Sequence, residues 1–288
     1  MGIGILYESE EWSTYALRDD IAKLGVPAKL ICMEKPVKTE DFKDCELVLN
    51  RVFASAGFRG HQKSLEQTPK ILEKLEDSGI TIINPRAAHF YETDKALTAD
   101  VLRRQGIPVP RIYGIIRKRE TDRGNKISYP CILKPNCGGR TTYTYILEDE
   151  ESLNRALEEI PDVDMLAEEY IKPVRRYLTR IEIIGGECRL ILKRSVADNG
   201  LSAYHLGSRY QFYPECSRPL RETALYAMEI LRIETGSMDV IETEDGFYII
   251  DVNSVSNASE DNTEMFRFDL MLETAKYAVE KYKKEQKG

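Results

Sequence analysis

The stretch SMDVIETEDGFYIIDVN, residues 237–253, has two mostly apolar runs on either side of Glu244-Asp245-Gly246. This pattern predicts a β-hairpin with a three-residue loop, whose final glycine takes the left-handed conformation and forms a bulge. In that hairpin Thr243 pairs with Phe247, and the later pairs keep the same register. A two-residue turn is the alternative, and it gives a register shifted by one residue.

Each strand of this hairpin carries an aspartate. In the predicted register Asp239 lies opposite Asp251, with both side chains on one face, and Asn253 shares that face. Two facing carboxylates repel each other unless a cation neutralises them, and these oxygen donors suit Mg²⁺ shared with substrate phosphates. The three residues are therefore candidate metal ligands. A solvated acidic hairpin is the alternative, and a two-residue turn would separate the aspartates and exclude the site.

A second candidate site follows the strand predicted over residues 130–134. Lys134 ends this strand, and the sequence continues PNCGGRTTYT. Glycines allow backbone N–H groups to approach an anion, and cationic and hydroxyl side chains add further donors. An ordinary hairpin turn is the alternative for the Gly-Gly pair. The candidate phosphate-binding residues are Lys134, Gly138, Gly139, Arg140 and Thr141.

The composition excludes several classes of protein. The chain has 288 residues, and 41 Lys+Arg against 48 Asp+Glu give a net charge of −7. A net acidic chain lacks the basic surface with which general nucleic-acid binders neutralise phosphates. No apolar run approaches the roughly 20 residues that cross a bilayer, and no secretory signal is visible. We therefore expect neither a nucleic-acid partner nor a membrane.

The cysteines and histidines indicate a reducing compartment. Six Cys and three His are spread along the chain without a CxxC pair, so the spacing typical of zinc sites is absent. Sparse cysteines in a chain of this size are typical of free thiols in the cytoplasm. Cys137 lies beside the Gly-Gly pair, but no histidine is close in sequence to activate it. A packed thiol is favoured over a nucleophile.

The order of elements predicts a mixed α/β fold. In the first third of the chain, buried strands alternate with helices, which is typical of a parallel sheet. Thr68-Pro69 predicts a helix start, since proline is harmless at the first helical position. The rest of the chain is richer in strands, and the charged segment 118–126 is interpreted as an exposed hairpin tip. Strands are predicted over 3–7, 45–49, 80–83, 111–116, 130–134, 142–147, 164–171, 179–185 and 188–195.

In this order, the motifs resemble the ATP-grasp superfamily of carboxylate–amine ligases, in the branch of the ribosomal-protein glutamate ligase and the lysine-biosynthesis ligase. The matching motifs are Asn84-Pro85, Asp94-Lys95, QGIPVP (105–110), Tyr129–Pro135, EEYI (168–171), Arg180, Arg194, Met238-Asp239 and Asp251–Asn253. The resemblance covers most of the chain and implies an ATP-grasp architecture of mixed α/β class. It implies a parallel α/β domain over 1–91, a lid subdomain over 92–166 and a catalytic subdomain over 167–288, the last two clamping ATP.

The resemblance also implies roles for individual residues. Lys95 would join Lys134 on the ATP phosphates. A cation in the first turn of a helix opposes the helix dipole, which by itself indicates a ligand, with an ordinary solvated lysine as the alternative. Arg180 and Arg194 would steady the transferred phosphoryl group or the substrate carboxylate, with a sheet-face ion pair as the alternative. The aspartates and Asn253 would hold Mg²⁺, or Mn²⁺ in its place. The interdomain hinge of Glu168, Glu169, Tyr170 and Ile171 would bind the adenine. For the two glutamates, a solvated strand end is the alternative.

Several positions depart from the family pattern. The phosphate loop has two glycines where several alternate, and Asp251 stands where glutamate is usual. Ser254–Asn257 replaces a segment of small residues with Pro-Gly, and Leu178 lies near the expected acidic ribose contact. Residues 204–210 occupy the region expected to recognise the acceptor.

The implied activity is an ATP-dependent ligase that forms an amide through an acyl phosphate. Its substrate would be a small molecule, a peptide or a carrier protein, and dimers or tetramers are common in the resembled family. Two alternatives are an ATP-binding module that has lost catalysis and an ATP-grasp kinase that phosphorylates its substrate directly.

Overall fold

The computed structural model describes residues 1–118, 127–203, 206–256 and 258–287. Residues 119–126 of the predicted hairpin tip, and Tyr204, His205 and Asn257, lie outside the described residues. The strands are β1 (Gly2–Tyr7), β2 (Ala28–Cys32), β3 (Cys45–Asn50), β4 (Thr81–Ile83), β5 (Ile112–Ile116), β6 (Cys131–Pro135), β7 (Tyr145–Leu147), β8 (Met165–Glu169), β9 (Tyr177–Ile184), β10 (Glu187–Ser195), β11 (Tyr210–Phe212), β12 (Thr235–Glu242) and β13 (Phe247–Asn253). The α-helices are α1 (Trp12–Lys23), α2 (Gln62–Asp77), α3 (Arg86–Thr93), α4 (Lys95–Arg104), α5 (Glu150–Glu159), α6 (Arg218–Ile230), α7 (Glu260–Phe266) and α8 (Leu270–Glu285). None of the helices within these ranges is both long and apolar enough to cross a membrane.

The first sheet is parallel, with the strand order β2-β1-β3-β4. Its strands are apolar on both faces, as in parallel sheets that are covered on both sides. Leu72 and Leu75 of α2 pack on one face. The other face is covered by α1 and by α8, through residues such as Met271 and Ala275. The last helix of the chain therefore completes the core that the first residues begin.

The predicted start of α2 at Thr68-Pro69 is wrong. The helix begins at Gln62, just after Gly60 in the left-handed conformation, and Pro69 lies inside it. The Thr68 hydroxyl donates to the Ser64 carbonyl oxygen at 2.6 Å, one helical turn back. An interior proline removes one helical hydrogen bond, which packing on the first sheet offsets here.

The second sheet is antiparallel, with the order β5-β8-β6-β7. Leu153 and Leu157 of α5 pack on it to form a separate small core. The predicted boundary between residues 166 and 167 falls inside β8, so a boundary after Glu169 would keep this sheet whole. The three domain limits otherwise stay a prediction.

The third sheet is antiparallel, with the order β11-β10-β9-β12-β13, and α6 packs on one face of it. Its hairpin β12–β13 differs from the predicted one near the loop. Glu242, not Thr243, pairs with Phe247, and Gly246 does not have a positive φ. An extra residue in β13, Ile250, then forms a bulge that restores the predicted register. Asp239 consequently does lie opposite Asp251, as predicted.

One buried asparagine joins the first sheet to the third. Asn84 follows β4, is fully buried and has φ 57°. Its Nδ2 donates to the carbonyl oxygens of Thr235 at 2.8 Å and Ser254 at 2.6 Å. Its Oδ1 accepts from the Glu234 N–H at 2.8 Å. The side chain thereby pairs backbone groups that water does not reach.

We expect Asn84→Ala to lower the free energy of unfolding by about 4 kcal/mol, because it removes the partner of four backbone groups, including the Thr235 N–H. Thermal denaturation should show a Tm lower by roughly 8 °C. Asn84→Gly is the matched control, since glycine adopts a positive φ without strain and should recover about 1 kcal/mol. A wild-type Tm in Asn84→Ala would contradict the structural role of this side chain.

Candidate functional site

Two adjoining cavities contain every predicted site residue. The first cavity has a volume of about 840 Å³ and is lined by parts of the second and third sheets. The second cavity, of about 1700 Å³, continues along the third sheet and shares the loop 138–141 with the first. The predicted residues in the first cavity are Lys95, Lys134, Gly138, Gly139, Arg140, Thr141, Glu168, Glu169, Tyr170, Ile171, Arg194, Asp239 and Asp251. Arg180 and Asn253 line the second cavity.

Two lysines lie in the first cavity, each against a carboxylate. Lys134 Nζ lies 2.7 Å from Glu168 Oε1 and donates to the Ile250 carbonyl oxygen at 2.9 Å. This carbonyl belongs to the bulge residue of β13, which lacks a ladder partner. Lys95, the first residue of α4, lies 2.5 Å from Asp251 Oδ1. The site therefore holds two cations where the sequence predicted phosphate contacts.

The charged state of these pairs is set by burial and by their partners. Burial opposes the charge of Lys95, but Asp251 outweighs it and raises the lysine pKa. Burial raises the pKa of Glu168, against the opposing effect of Lys134. Lys95 is accordingly held as a cation in a largely enclosed site.

Two arginines on the third sheet share one carboxylate. Arg180 of β9 pairs directly with Asp239 of β12, and its Nη1 lies 3.3 Å from Asp239 Oδ1. Arg194 of β10 reaches the other oxygen, Oδ2, at 2.8 Å. Burial opposes ionisation of Asp239, but the two guanidinium groups outweigh it and lower the pKa of this carboxyl. The sheet-face ion pair considered from the sequence is thus present. Asp239 and Arg194 line both cavities, and Arg180 lines the second one beside them.

The glycine loop has a different geometry from the predicted one. Arg140, Thr141 and Tyr143 take the left-handed conformation, whereas Gly138 and Gly139 do not. A Cβ at Gly138 would lie 2.9 Å from Cε2 of Phe58, so glycine is needed there for close packing against the first domain. The loop therefore touches the N-terminal third of the chain.

The Arg140 side chain also points to the N-terminal third. Its Nη2 donates to Glu11 Oε1 at 2.7 Å, and its guanidinium lies over the Phe53 ring. Arg140 lines both cavities, but in this conformation its charge is paired with Glu11 and not directed at a phosphate position.

The predicted metal ligands lie on one face of the hairpin β12–β13, where both oxygens of Asp239 are paired with arginines. Asp239 lies opposite Asp251, and Asn253 follows on the same face, opposite Ser237. Across the described ranges there is no cluster of three or more His, Cys, Asp or Glu side chains suited to a metal. Two carboxylates and one amide oxygen nevertheless fit Mg²⁺, which usually takes one or two protein carboxylates and completes its shell with phosphates and water.

The predicted hinge residues lie at the end of β8 and just after it, at the apolar end of the first cavity. Glu169 donates its N–H to the Arg111 carbonyl oxygen at 2.8 Å, and Glu168 is buried rather than solvated. Ile171, Leu178 and Ile241 form one apolar cluster beside them. Leu178 thus places an apolar side chain in the first cavity where an acidic ribose contact would be expected.

The comparisons with known proteins agree with this geometry. The model of the RimK-like ATP-grasp domain matches residues 92–277. The chain belongs to the RimK-like ATP-grasp family. It is an ATP-dependent ligase that forms carbon–nitrogen bonds, so the predicted family, mixed α/β fold, ATP binding and ligase activity are confirmed.

Named relatives of this ATP-grasp ligase cover nearly the same length. A probable alpha-L-glutamate ligase of Aliivibrio fischeri is 26% identical over 276 residues, 88% of this chain and 87% of that protein. The alpha-aminoadipate–LysW ligase LysX of Sulfurisphaera tokodaii is 26% identical over 275 residues, 88% of this chain and 90% of its own. A RimK domain ATP-grasp protein of Sphaerobacter thermophilus, 19% identical, superposes with a TM-score of 0.71 and covers 96% of this chain and 99% of that one.

Sequence reasoning missed two carboxylates in the ligase's second cavity. Glu182 lies two residues after Arg180 on β9, so strand alternation would have placed it on the same face; it accepts from Arg180 Nε at 2.8 Å. Glu92 on α3 is buried and accepts from the N–H groups of Ala54 at 3.2 Å and Ser254 at 2.5 Å. Burial raises the pKa of Glu92. No sequence signal indicated Glu92, because its partners are distant in the chain.

Proposed function

We propose that this ligase transfers the γ-phosphoryl group of ATP to a substrate carboxylate and then joins the acyl phosphate to an amine. The observation that carries the proposal is the border between the two cavities. There Arg180, Arg194 and Asp239 lie on one face of the third sheet, next to Asp251 and its partner Lys95. ATP would occupy the first cavity and the carboxylate the second, so the reacting atoms would meet at this border.

In the first cavity the adenine would lie on the apolar surface of Ile171, Leu178 and Ile241, beside the hinge. The phosphates would extend toward Lys134 and Lys95. An incoming phosphate offers each lysine a new anionic partner, which would release the carboxylates of Asp251 and Glu168. Mg²⁺ held by Asp239, Asp251 and Asn253 would neutralise negative charge on the phosphates.

At the border, an oxygen of the substrate carboxylate attacks the γ-phosphorus, and the bond to the β–γ bridging oxygen breaks to release ADP. Arg180 and Arg194 would hold the substrate carboxylate and stabilise the negative charge that moves through the transferred phosphoryl group. The amine nitrogen then attacks the acyl carbon, phosphate leaves, and the amine gives up a proton. An amine that arrives neutral needs no strong base, and we assign none.

The loop 137–144 would exclude water during this sequence. Its residues 138–141 line both cavities, and it touches the N-terminal third of the chain through Gly138 and Arg140. Exclusion of water protects the acyl phosphate from hydrolysis, which would waste ATP.

The substrate proposal follows the names of the relatives. Those names include alpha-L-glutamate ligase and alpha-aminoadipate–LysW ligase, so the reactants there are an amino acid or a carrier protein. We propose a substrate of the same kinds for this chain, either a small molecule, a peptide or a carrier protein. We also propose a cytoplasmic location, which is compatible with six free cysteines.

The test is an ADP-release assay with Mg²⁺, ATP and a panel of amino acids and short peptides, followed by the mass of the product. The proposal predicts ADP release that depends on both a carboxylate and an amine, and a product with the mass of an amide. ATP binding with no substrate-dependent ADP release would favour a module that has lost catalysis. A stable phosphorylated product would identify a kinase.

A further inference from the structure

One face of the third sheet changes in polarity from one edge to the other. The strand pairing places Phe212, Leu192, Arg180, Asp239 and Asp251 in one row across β11, β10, β9, β12 and β13. Residues directly opposite each other on neighbouring strands share a face of the sheet. The row is therefore apolar at one edge, cationic in the middle and anionic at the other edge.

Aromatic and aliphatic side chains close the apolar edge. Phe266 of α7 lies edge-on to the rings of Tyr210 and Phe212, with centroids 6.0 and 5.4 Å away. Leu190 and Leu192 of β10 continue this surface toward the arginines, because they share a face with Arg194. Tyr210, Phe266 and both leucines line the second cavity. Together these residues are called the apolar wall.

The cations of the second cavity already have anionic partners. Among the described residues that line this cavity, only three carry a Lys, Arg or His side chain: Arg140, Arg180 and Arg194. Arg140 is paired with Glu11, and the other two are paired with Asp239. The substrate's own carboxylate would already share these two arginines with Asp239 and Glu182, so a second, acidic side chain on the apolar wall would be left without a cation of its own. An unpaired buried charge is costly.

We propose, on the basis of the function proposed above, that the carboxylate activated by this ligase belongs to an amino acid or peptide terminus with a large apolar side chain. The apolar side chain of the substrate would lie on the apolar wall. The substrate's carboxylate would lie about one inter-strand spacing further along the row, at Arg180 and Arg194. The order of the row then matches the order of the reactants: side chain, carboxylate, phosphoryl group and metal-bound phosphates.

The experiment uses L-leucine, L-phenylalanine, L-alanine and L-glutamate, each free and N-acetylated, with ATP, Mg²⁺ and hydroxylamine as the amine. Hydroxylamine converts an acyl phosphate into a hydroxamate, so the assay reports carboxylate activation whatever the natural amine is. We expect kcat/KM for leucine and phenylalanine to exceed that for alanine and glutamate by about tenfold or more, since a filled apolar pocket discriminates by that amount. An equal or higher value for glutamate would overturn the inference and leave the ligase function standing.

Variants test the apolar wall itself. Leu192→Ala and Phe266→Ala should each raise KM for leucine or phenylalanine about tenfold, with KM for ATP unchanged. The matched control is Ile191→Ala, on the same strand but on the opposite face, which should leave both KM values near wild type. An unchanged KM for the apolar substrates in both wall variants would contradict the inference.

If none of the probes is activated, binding separates the two proposals. Isothermal titration in the presence of a non-hydrolysable ATP analogue should then show leucine or phenylalanine binding about tenfold more tightly than glutamate, and weaker binding in Phe266→Ala. That result would support the apolar wall and count against the ligase mechanism. No preference for the apolar amino acids would overturn the inference.

Discussion

Replacing Asp251 by asparagine should lower Mg²⁺-dependent ADP release by about a thousandfold and leave the fold intact. The substitution keeps the shape of the side chain and removes its charge. It takes one of two carboxylates from the proposed metal site and also leaves Lys95 without its 2.5 Å partner. The Asp251 side chain is 26% exposed, but the unpaired Lys95 side chain is only 11% exposed, so the variant should lose some stability while keeping its fold. ADP release measured against Mg²⁺ concentration, with circular dichroism as a check of the fold, tests this.

Two further variants separate charge from geometry at this position. Asp251→Glu keeps the charge and restores the residue that is usual in the resembled family, so it should retain measurable Mg²⁺-dependent activity. Asp245→Asn removes a charge from the exposed loop of the same hairpin and should behave as wild type. A wild-type rate and Mg²⁺ dependence in Asp251→Asn would refute the metal assignment.

Replacing Lys134 by methionine should have two effects of different origin. It should abolish the phosphate contact and lower turnover by about a hundredfold or more. It should also destabilise the fold by about 3 kcal/mol, because Glu168 would be left as a buried carboxylate without its 2.7 Å partner. Removing the lysine should further raise the pKa of Glu168, which burial already raises. ADP-release kinetics and thermal denaturation measure the two effects separately.

The double variant Lys134→Met/Glu168→Gln distinguishes these effects. Glutamine removes the unpaired charge, so the Tm should return close to the wild-type value, while turnover should stay low. Recovery of turnover together with stability would show that Lys134 acts only as the partner of Glu168. In that case Lys134 would not be a phosphate ligand.

The sequence predicted the pairing of Asp239 with Asp251 correctly, but it predicted the wrong hairpin loop. The predicted loop gives the correct Asp239–Asp251 pair, but the observed loop is one residue longer and the bulge at Ile250 compensates. The sequence does not reveal this bulge. β13 is a mostly apolar run without strict alternation, so one extra apolar residue does not stand out. The bulge matters for the site, since its carbonyl oxygen accepts from Lys134.

The glycine loop shows a second limit of local patterns. The sequence predicts that Gly138 and Gly139 let backbone N–H groups approach an anion, yet Gly138 is required by the Phe58 ring, which lies eighty residues earlier in the chain. The contacts between Arg140 and Glu11 and between Lys134 and Glu168 are equally distant in sequence. Such contacts depend on how the sheets pack, and local periodicity carries no information about them.

The helix start predicted at Thr68-Pro69 was wrong for a related reason. A proline after threonine is typical of a helix start, but an interior proline has the same local sequence. The earlier start of the helix is consistent with Leu65, which continues the apolar side of α2 toward its N-terminus and packs on the first sheet. Strand alternation did place Asp239, Asp251 and Asn253 on one face as predicted, while their role as metal ligands stays a prediction.

The proposed acyl phosphate can be tested directly with an isotope. The carboxylate that gives the fastest ADP release would be labelled with ¹⁸O in both oxygens, and the released phosphate analysed by mass spectrometry. If the carboxylate attacks the γ-phosphorus, one ¹⁸O atom passes into each molecule of phosphate and the amide product retains the other. Unlabelled phosphate with both labels retained in the substrate carboxylate, or release of AMP and pyrophosphate, would contradict this mechanism.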